Sequence, residues 1–322
     1  MDSINNDLKN DLTWSSARYS TLLRCEKKYY FQHIGGWGGW DKSAPDLTQE
    51  IYHRKYLTAV HPEIGLLVHD RIACIFDRAL TGHSPNVADE IRKAQNAFVT
   101  FIRRSVVRPL DAVTRKSRKL LRDELGQPLT DQAVAALTEH IEVLLKGFFA
   151  FADVKALLEH PEDLIPQLLD PQNFAIGHEL GVPARLRTDI VWVTEDSVVV
   201  GDWKGGRPSP SHRDQALTYD LYVRALLQLP PEETVEVRFY YLGEQKIATF
   251  RFTDEERELH KWQIGEEWET IKSYSQSPTI NIAPPEKFRA RVTKSCAECS
   301  FQSICPEFIR QHRNQVVVEA EL

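Results

Sequence analysis

Two aspartates and a lysine near the middle of the chain have the types and spacing for metal-assisted phosphate chemistry. If residues 195–196 form a two-residue turn between two apolar strands, Asp189 lies directly opposite Asp202. Lys204 follows two residues later, on the same face of the strand. Adjacent carboxylates repel each other unless a cation or a proton lies between them, and their oxygens suit Mg²⁺ or Mn²⁺. The pattern predicts a metal site where Lys204 acts on a water or a phosphate, although a structural Asp–Lys ion pair would also explain it.

Three of the five cysteines have a spacing that indicates a second metal site. Cys296, Cys299 and Cys305 lie close together near the C-terminus, whereas Cys25 is far upstream. Disulfides are rare in the cytoplasm, so clustered cysteines favour metal binding. Clustered thiolates suit either zinc or an iron–sulfur cluster, and their spacing does not choose between the two. Cys74 lies in an apolar helical stretch and is interpreted as a small buried residue.

The segments that position these residues alternate between strands and helices in the second half of the chain. Strands rich in Val and Ile are predicted at 174–180, 184–193, 197–204, 234–242 and 246–252, with helices at 211–229 and 254–274. This alternation indicates an α/β core. Further helices are predicted at 14–33, 65–80, 87–107, 110–125, 130–150 and 152–159.

The order of these motifs resembles the PD-(D/E)XK nuclease superfamily, in particular its RecB-like branch that carries an iron–sulfur cluster. That branch includes CRISPR-adaptation exonucleases and the nuclease domains of recombination helicase–nucleases. The resemblance covers 14–33, 65–80 and 174–306, whereas the helices at 84–170 match no known insertion. It implies a restriction-endonuclease-like core, with a mixed central sheet flanked by helices, a helical insertion and an iron–sulfur-bound C-terminal tail.

The resemblance also implies roles for individual residues. The motifs that carry it are G-x-x-x-H at 65–69, D-x-K at 202–204, Q-x-x-x-Y at 215–219 and C-x2-C-x5-C-P at 296–306. The implied metal ligands are His69, Asp189, Asp202 and the backbone carbonyl of Trp203. The implied catalytic residues are Lys204, Asp202, Asp189, Gln215 and Tyr219. The implied cluster ligands are Cys25, Cys296, Cys299 and Cys305, with 4Fe-4S favoured over zinc. Glu179 matches the family pattern more loosely.

The activity implied by the resemblance is metal-dependent cleavage of DNA, as an exonuclease in repair, recombination or CRISPR-type defence. Single-stranded DNA or single-stranded ends are the favoured substrate, with a helicase or an integrase-type protein as partner. Two other interpretations stay open from the residues alone. The chain could be a non-catalytic DNA-binding or assembly subunit, or a zinc-stabilised regulator.

The resemblance divides the chain into four parts. Residues 1–83 form the N-terminal helices of the nuclease core, 84–170 the helical insertion, 171–280 the core sheet and its helices, and 281–322 a cysteine-rich tail that closes onto Cys25. The glycine-rich segment after the first helix contains Trp37 and Trp40. These two rings either anchor that loop on the core or stack on nucleic-acid bases.

Charge restricts where a nucleic acid can bind. The chain has 322 residues and a net charge of −6, so any such interface must be a local basic patch. One candidate is the basic run 103–122, and another is the segment 287–294 before the cysteines. The residues proposed to bind nucleic acid are Arg115, Lys116, Arg118, Lys119, Arg289 and Arg291. The polar N-terminus and the lack of a long apolar run predict a cytoplasmic protein without a membrane segment.

Overall fold

The computed structural model describes residues 9–166, 176–177 and 180–311 of the chain. The chain forms two compact units, each made of separate segments. Unit 1 comprises 1–59, 104–128 and 267–322, and unit 2 comprises 60–103 and 129–266. The four-part division drawn from the sequence remains a prediction. Among the described residues, no helix is long and apolar enough to cross a membrane.

The regular elements follow one another in this order. They are α1 (Ser16–Arg24), α2 (Glu26–Tyr30), α3 (Asp46–Arg54), β1 (Leu57–Thr58), α4 (Val60–Ala79), α5 (Val87–Val107), β2 (Lys119–Leu120), α6 (Leu121–Glu124), α7 (Asp131–Ala150), α8 (Ala152–Glu159), β3 (Ile176–Gly177), β4 (Ala184–Arg185), β5 (Ile190–Val193), β6 (Val198–Lys204), α9 (Ser211–Leu226), β7 (Val235–Tyr241), β8 (Lys246–Phe250) and α10 (Asp254–Tyr274).

Unit 2 is built on a four-stranded mixed sheet of order β5-β6-β7-β8. The β5–β6 and β7–β8 pairs are antiparallel, whereas β6 and β7 run parallel. The parallel pair is joined by α9, because parallel neighbours need a crossover connection rather than a tight turn. This arrangement confirms the predicted mixed sheet with flanking helices.

Helices cover both faces of this sheet because strand residues are apolar on both sides. On one face, the Trp203 ring lies 6.2 Å from Phe76 of α4, 5.2 Å from Phe148 of α7 and 4.9 Å from Tyr240. On the other face, Tyr219 of α9 packs on Phe239 of β7 at 6.3 Å. Asp202 and Lys204 point to this second face, and α9 therefore covers them.

Several helices form where the sequence predicts them. The helix predicted at 65–80 is α4, those at 87–107, 130–150 and 152–159 are α5, α7 and α8, and the one at 254–274 is α10. The buried residues of α4 include Val68, Ile72 and Phe76, which follow the helical period. Cys74 lies between them on the other side of the helix and is exposed, so its interpretation as a buried residue is wrong.

The prediction of one helix at 110–125 is wrong. This segment of unit 1 contains a 3₁₀ turn at Leu110–Ala112, the short strand β2 and the single-turn helix α6. Residues 57–58 and 119–120 pair in parallel, and this pairing holds the segment extended. Pro109 also starts it in an extended conformation. Pairing with a distant strand therefore outweighs the helical pattern of the basic residues in this segment.

The helix predicted at 14–33 is interrupted at Cys25. Ser15 caps α1 by accepting a hydrogen bond from the Arg18 backbone N–H, as the sequence suggests. Cys25 then adopts an extended conformation (φ −164°, ψ 107°), and α2 begins at the next residue. Unit 1 also joins the two ends of the chain, because the Lys27 N–H donates to the Arg289 carbonyl and the Arg289 N–H donates to Glu26.

Candidate active site

The β5–β6 hairpin brings the two predicted carboxylates together at one end of the sheet. The pairing of Ile190 with Gly201 and of Val193 with Val198 is the predicted register. Thr194 and Ser197 close the turn through a 2.8 Å backbone hydrogen bond. Asp189 directly precedes the first paired residue, Ile190, and its Oδ2 accepts the Trp203 N–H at 2.9 Å. The backbone therefore holds Asp189 beside the D-x-K strand.

His69 reaches the same place from α4. Its Nδ1 lies 3.0 Å from Asp189 Oδ1, and its side chain is 27% exposed. The ring therefore lies at an accessible edge of the site rather than in the core. Burial opposes protonation of His69, but the Asp189 carboxylate and its hydrogen bond outweigh that effect and raise the pKa of the imidazole.

Lys204 lies on the same strand face as Asp202. Its Nζ is 2.8 Å from Asp202 Oδ1 and donates to Gln215 Oε1 at 2.8 Å. The ammonium also lies 4.4 Å from the centre of the Phe239 ring, a cation–π contact. Phe239 was not predicted as a site residue, because its place beneath Lys204 depends on the parallel β6–β7 pairing, which no turn reveals.

Helix α9 supplies the remaining predicted residues. Gln215 and Tyr219 are one helical turn apart and share a face. The Gln215 amide donates to the Tyr219 hydroxyl at 2.9 Å, and that hydroxyl donates to Asp202 Oδ2 at 3.0 Å. Burial and then the Asp202 carboxylate raise the pKa of Tyr219 well above its usual value, so the phenol stays a proton donor. The two side chains thus hold Lys204 and Asp202 in place.

The electrostatics of the carboxylate pair favour the binding of a cation. Burial, and next the Asp189 carboxylate, raise the pKa of Asp202 to about 6, although Lys204 and His69 oppose that shift. Asp202 is 4% exposed. Its buried Oδ1 has the Lys204 ammonium as its partner, with Nζ 2.8 Å away. A buried carboxylate that faces a second carboxylate fits the ligand set of a divalent cation.

Within the described part of the chain, no three His, Cys, Asp or Glu side chains are already arranged as a complete metal-ligand set. His69, Asp189 and Asp202 instead form a hydrogen-bonded and electrostatically coupled group. The Trp203 N–H belongs to this group through Asp189, but the structure does not test the predicted role of its carbonyl. Glu179 lies outside the described residues.

The four predicted cluster cysteines meet in unit 1. Cys25, Cys296, Cys299 and Cys305 line one small cavity of about 30 Å³, together with Phe31 and Phe301. Burial raises the pKa of the Cys299 thiol, whereas the Phe301 N–H and the Lys28 ammonium favour its thiolate. The break in the helix at Cys25 places that residue with the C-terminal three. Cysteine is the residue type that binds zinc or an iron–sulfur cluster. In the described residues, however, these thiols are not already arranged as a metal-ligand set.

The basic residues predicted to bind nucleic acid all lie in unit 1, in different environments. Arg115, Lys116, Arg289 and Arg291 are exposed and Arg118 is half-buried. Lys119 is only 6% exposed and pairs with Glu124 at 2.9 Å. It also donates to the Arg108 carbonyl at 2.7 Å. The prediction that Lys119 faces a nucleic acid is therefore wrong, because its ammonium stabilises the turn around β2.

Comparison with known proteins assigns the chain to a family. No curated protein matches the chain. The sequence model of the PD-(D/E)XK nuclease superfamily matches residues 13–306, which include all of the site residues described above. This match covers most of the chain and includes both the D-x-K strand and the cysteine-rich segment. The chain belongs to the PD-(D/E)XK nuclease superfamily.

Proposed function

We propose that this protein is a Mg²⁺- or Mn²⁺-dependent deoxyribonuclease of the RecB-like branch, which degrades DNA as an exonuclease. The observation that carries the proposal is the group at the end of β6, where the buried Asp202 carboxylate faces Asp189 and lies 2.8 Å from the Lys204 ammonium. Membership of a nuclease superfamily supports it. Perturbed carboxylates beside a lysine are typical of a site that uses metal for phosphate chemistry.

The side chains divide the work of phosphodiester cleavage. Asp189, Asp202 and His69, with the Trp203 carbonyl, would hold the metal, which supplies a Lewis acid and lowers the pKa of a bound water. Lys204 orients the attacking water and stabilises negative charge that develops on the phosphate. Gln215 holds the Lys204 ammonium through its Oε1 atom at 2.8 Å.

The test is a cleavage assay on end-labelled single- and double-stranded DNA with Mg²⁺, Mn²⁺ or EDTA. Wild type is compared with Lys204→Ala and with Lys261→Ala, a matched control on α10 whose side chain is 46% exposed and pairs only with its helix neighbour Glu258 among the contacts described. Lys204→Ala should lose about 100- to 1,000-fold in rate with little change in Tm. A Lys204→Ala variant as fast as wild type would refute the assignment. DNA binding without metal-dependent cleavage by wild type would favour the non-catalytic assembly subunit.

We also propose that the four cysteines of unit 1 bind a 4Fe-4S cluster, which pins the two ends of the chain together. The support is their shared cavity and the backbone N–H groups directed at Cys299 and Cys305. Anaerobically purified protein should contain about four iron atoms per chain. Cys299→Ser should lose the iron and lower the Tm, whereas Cys74→Ser, at an exposed site in unit 2, should keep both. Zinc in a colourless wild-type protein would replace this proposal with a structural zinc site.

The product ladder of the same cleavage assay tests the exonuclease assignment. Mononucleotides or short oligonucleotides released from one labelled end indicate exonuclease action and its polarity, whereas internal cuts in circular DNA indicate an endonuclease. A role in repair, recombination or defence, with a helicase or integrase-type partner, is proposed from the RecB-like resemblance. A cytoplasmic location stays a prediction from the sequence.

A further inference from the structure

A row of aromatic rings lies on unit 1, apart from both metal-site candidates. The Trp37 and Trp40 rings are 5.1 Å apart, Trp40 is 5.9 Å from Tyr52, and Tyr52 is 5.3 Å from Tyr56. All three pairs meet edge to face. Trp37 and Trp40 are 40% and 41% exposed. We refer to Trp37, Trp40, Tyr52 and Tyr56 as the aromatic row.

The loop that carries the two tryptophans is fixed to α3 by other means. Gly39 lies so close to α3 that an added Cβ would be 2.4 Å from the Thr48 carbonyl oxygen. The Gln49 amide donates to the carbonyls of Lys42 and Ala44, at 3.2 and 2.7 Å. Backbone packing and hydrogen bonds therefore anchor the loop. Two large rings left over 40% exposed are not needed for that purpose, and exposed tryptophan is costly in solvent.

Basic side chains follow the same row. The Lys55 ammonium lies 5.8 Å from the centre of the Tyr56 ring. Burial raises the pKa of Tyr56 and the Arg115 guanidinium opposes that shift, so the positive charge of Arg115 also acts on this phenol. Arg115 and Lys116 are the central residues of a tight turn closed by hydrogen bonds between Thr114 and Ser117. Because the whole chain has a net charge of −6, these cations beside aromatic rings form a local basic patch.

The Lys55 end of the row opens into a polar cavity of about 210 Å³ in unit 1. Lys28, Lys55, Thr58 and Ser300 line it, together with one acid, Glu298. Two of the acidic residues near the aromatic row already have hydrogen-bond or ion-pair partners. Asp41 accepts hydrogen bonds from the Ser43 N–H and hydroxyl, and Glu50 pairs with Arg54 at 2.8 Å. Positive charge thus continues from the aromatic row into the cavity.

We propose that unit 1 binds single-stranded DNA along this row, with bases stacked on Trp37 and Trp40 and phosphates near Lys28, Lys55, Arg115 and Lys116. Flat aromatic faces next to cations are the pattern by which proteins hold single strands without sequence preference, because every base has a face that stacks. A duplex hides its base faces and gains only the charge contacts. The inference rests on the proposed nuclease function for its choice of DNA as the ligand.

The experiment measures binding rather than cleavage, so that its failure is distinct from failure of the active-site assignment. Fluorescein-labelled oligo-dT is titrated with the protein in EDTA, and anisotropy gives the Kd. Trp37→Ala/Trp40→Ala should raise the Kd by roughly 10- to 100-fold. Trp40→Phe should keep most of the affinity, because phenylalanine still stacks. The matched control is Trp262→Ala, which removes a 63% exposed indole on α10 and should leave the Kd within about twofold.

A strand of abasic spacers separates stacking from charge. It should bind wild type about as weakly as oligo-dT binds the double variant, and the double substitution should not weaken it further. Arg115→Ala/Lys116→Ala should reduce the salt dependence of binding for both strands. Unchanged oligo-dT affinity in a folded Trp37→Ala/Trp40→Ala protein would overturn the inference and leave the row to a protein partner. The inference would also be overturned if Trp37→Ala/Trp40→Ala weakened the binding of single-stranded and duplex DNA equally. Stacking on exposed bases predicts that this variant weakens mainly the binding of the single strand.

Discussion

Two buried aspartates of unit 2 show how the same side chain is used in opposite ways. Asp202 and Asp220 are 4% and 0% exposed. Both Asp220 oxygens receive hydrogen bonds from the guanidinium groups of Arg224 and Arg257, at 2.7 to 3.3 Å. Asp202 contacts one ammonium group and the Tyr219 hydroxyl, and it faces a second carboxylate.

The difference lies in how completely each buried charge is compensated. A buried carboxylate matched by two guanidinium groups satisfies its own electrostatics and holds α9 to α10 within unit 2. A buried carboxylate next to another one costs free energy until a cation arrives. Helix α9 contributes to the surroundings of both aspartates. Gln215 and Tyr219 face Asp202, whereas Asp220 and Arg224 lie on another side of the helix. An uncompensated buried charge therefore indicates a binding site better than burial alone.

The largest expected effect is on catalysis by Asp202→Asn. The substitution keeps the shape of the side chain but removes the charge that would hold the metal, so cleavage should fall by about 1,000-fold or more. At pH 7 the metal-free Asp202→Asn protein should be no less stable to unfolding than wild type, because relief of repulsion with Asp189 offsets the lost contact with Lys204. Cleavage rates and denaturant unfolding in EDTA measure the two effects. A large loss of stability would contradict this reading.

Asp220→Asn should give the reverse result. Two buried guanidinium groups would lose their counter-charge, and breaking such a pair costs about 3 kcal/mol or more. Urea unfolding should show that loss, while the cleavage rate per folded molecule stays within about threefold of wild type, since the Asp220 side chain bonds Arg224 and Arg257 rather than a residue of the site. An Asp220→Asn variant that folds normally but no longer cleaves would break the contrast between the two aspartates.

A third prediction concerns pH in the metal-free protein. The pKa of Asp202 is raised to about 6, above its value of roughly 3.9 in an unfolded chain. The folded state therefore binds this proton more tightly, and stability falls as pH rises from about 4 to about 6, by up to roughly 3 kcal/mol. The difference in unfolding free energy between wild type and Asp202→Asn isolates this contribution. The stability of wild type relative to Asp202→Asn should decline from about pH 4 to about pH 6 and should recover when Mg²⁺ is added at pH 7. A difference that does not vary with pH would count against this prediction.

The smallest expected effect is that of Tyr219→Phe. The substitution removes the 3.0 Å hydrogen bond to Asp202 but keeps the ring against Phe239. The cleavage rate should fall by about 10-fold, which corresponds to the loss of one hydrogen bond to a charged group. The control is Tyr240→Phe, whose hydroxyl bonds Asp153 on the other face of the sheet and should affect stability only. If Tyr219→Phe equalled Asp202→Asn in its effect, the phenol would have a direct role in the reaction.

Local rules predicted the hairpin of the candidate site but not the features that depend on distant pairing. The pairing of Ile190 with Gly201, next to Asp189 and Asp202, follows from the turn at 195–196, because a two-residue turn fixes every pair along the hairpin. The place of Phe239 beneath Lys204 depends on a parallel pairing, which no short turn fixes. The burial of Lys119 depends on β1, some sixty residues earlier in the chain. The break at Cys25 also escaped prediction, because the flanking residues have a continuous helical pattern.

The most direct test is a calorimetric titration of Mn²⁺ into metal-free protein, with wild type, Asp202→Asn and Asp220→Asn compared under the same conditions. The uncompensated carboxylate predicts saturable Mn²⁺ binding by wild type and by the folded Asp220→Asn variant, and none by Asp202→Asn at the same concentrations. Equal binding by Asp202→Asn would show that the metal is held elsewhere, and would contradict the assignment of the β5–β6 hairpin as the catalytic metal site.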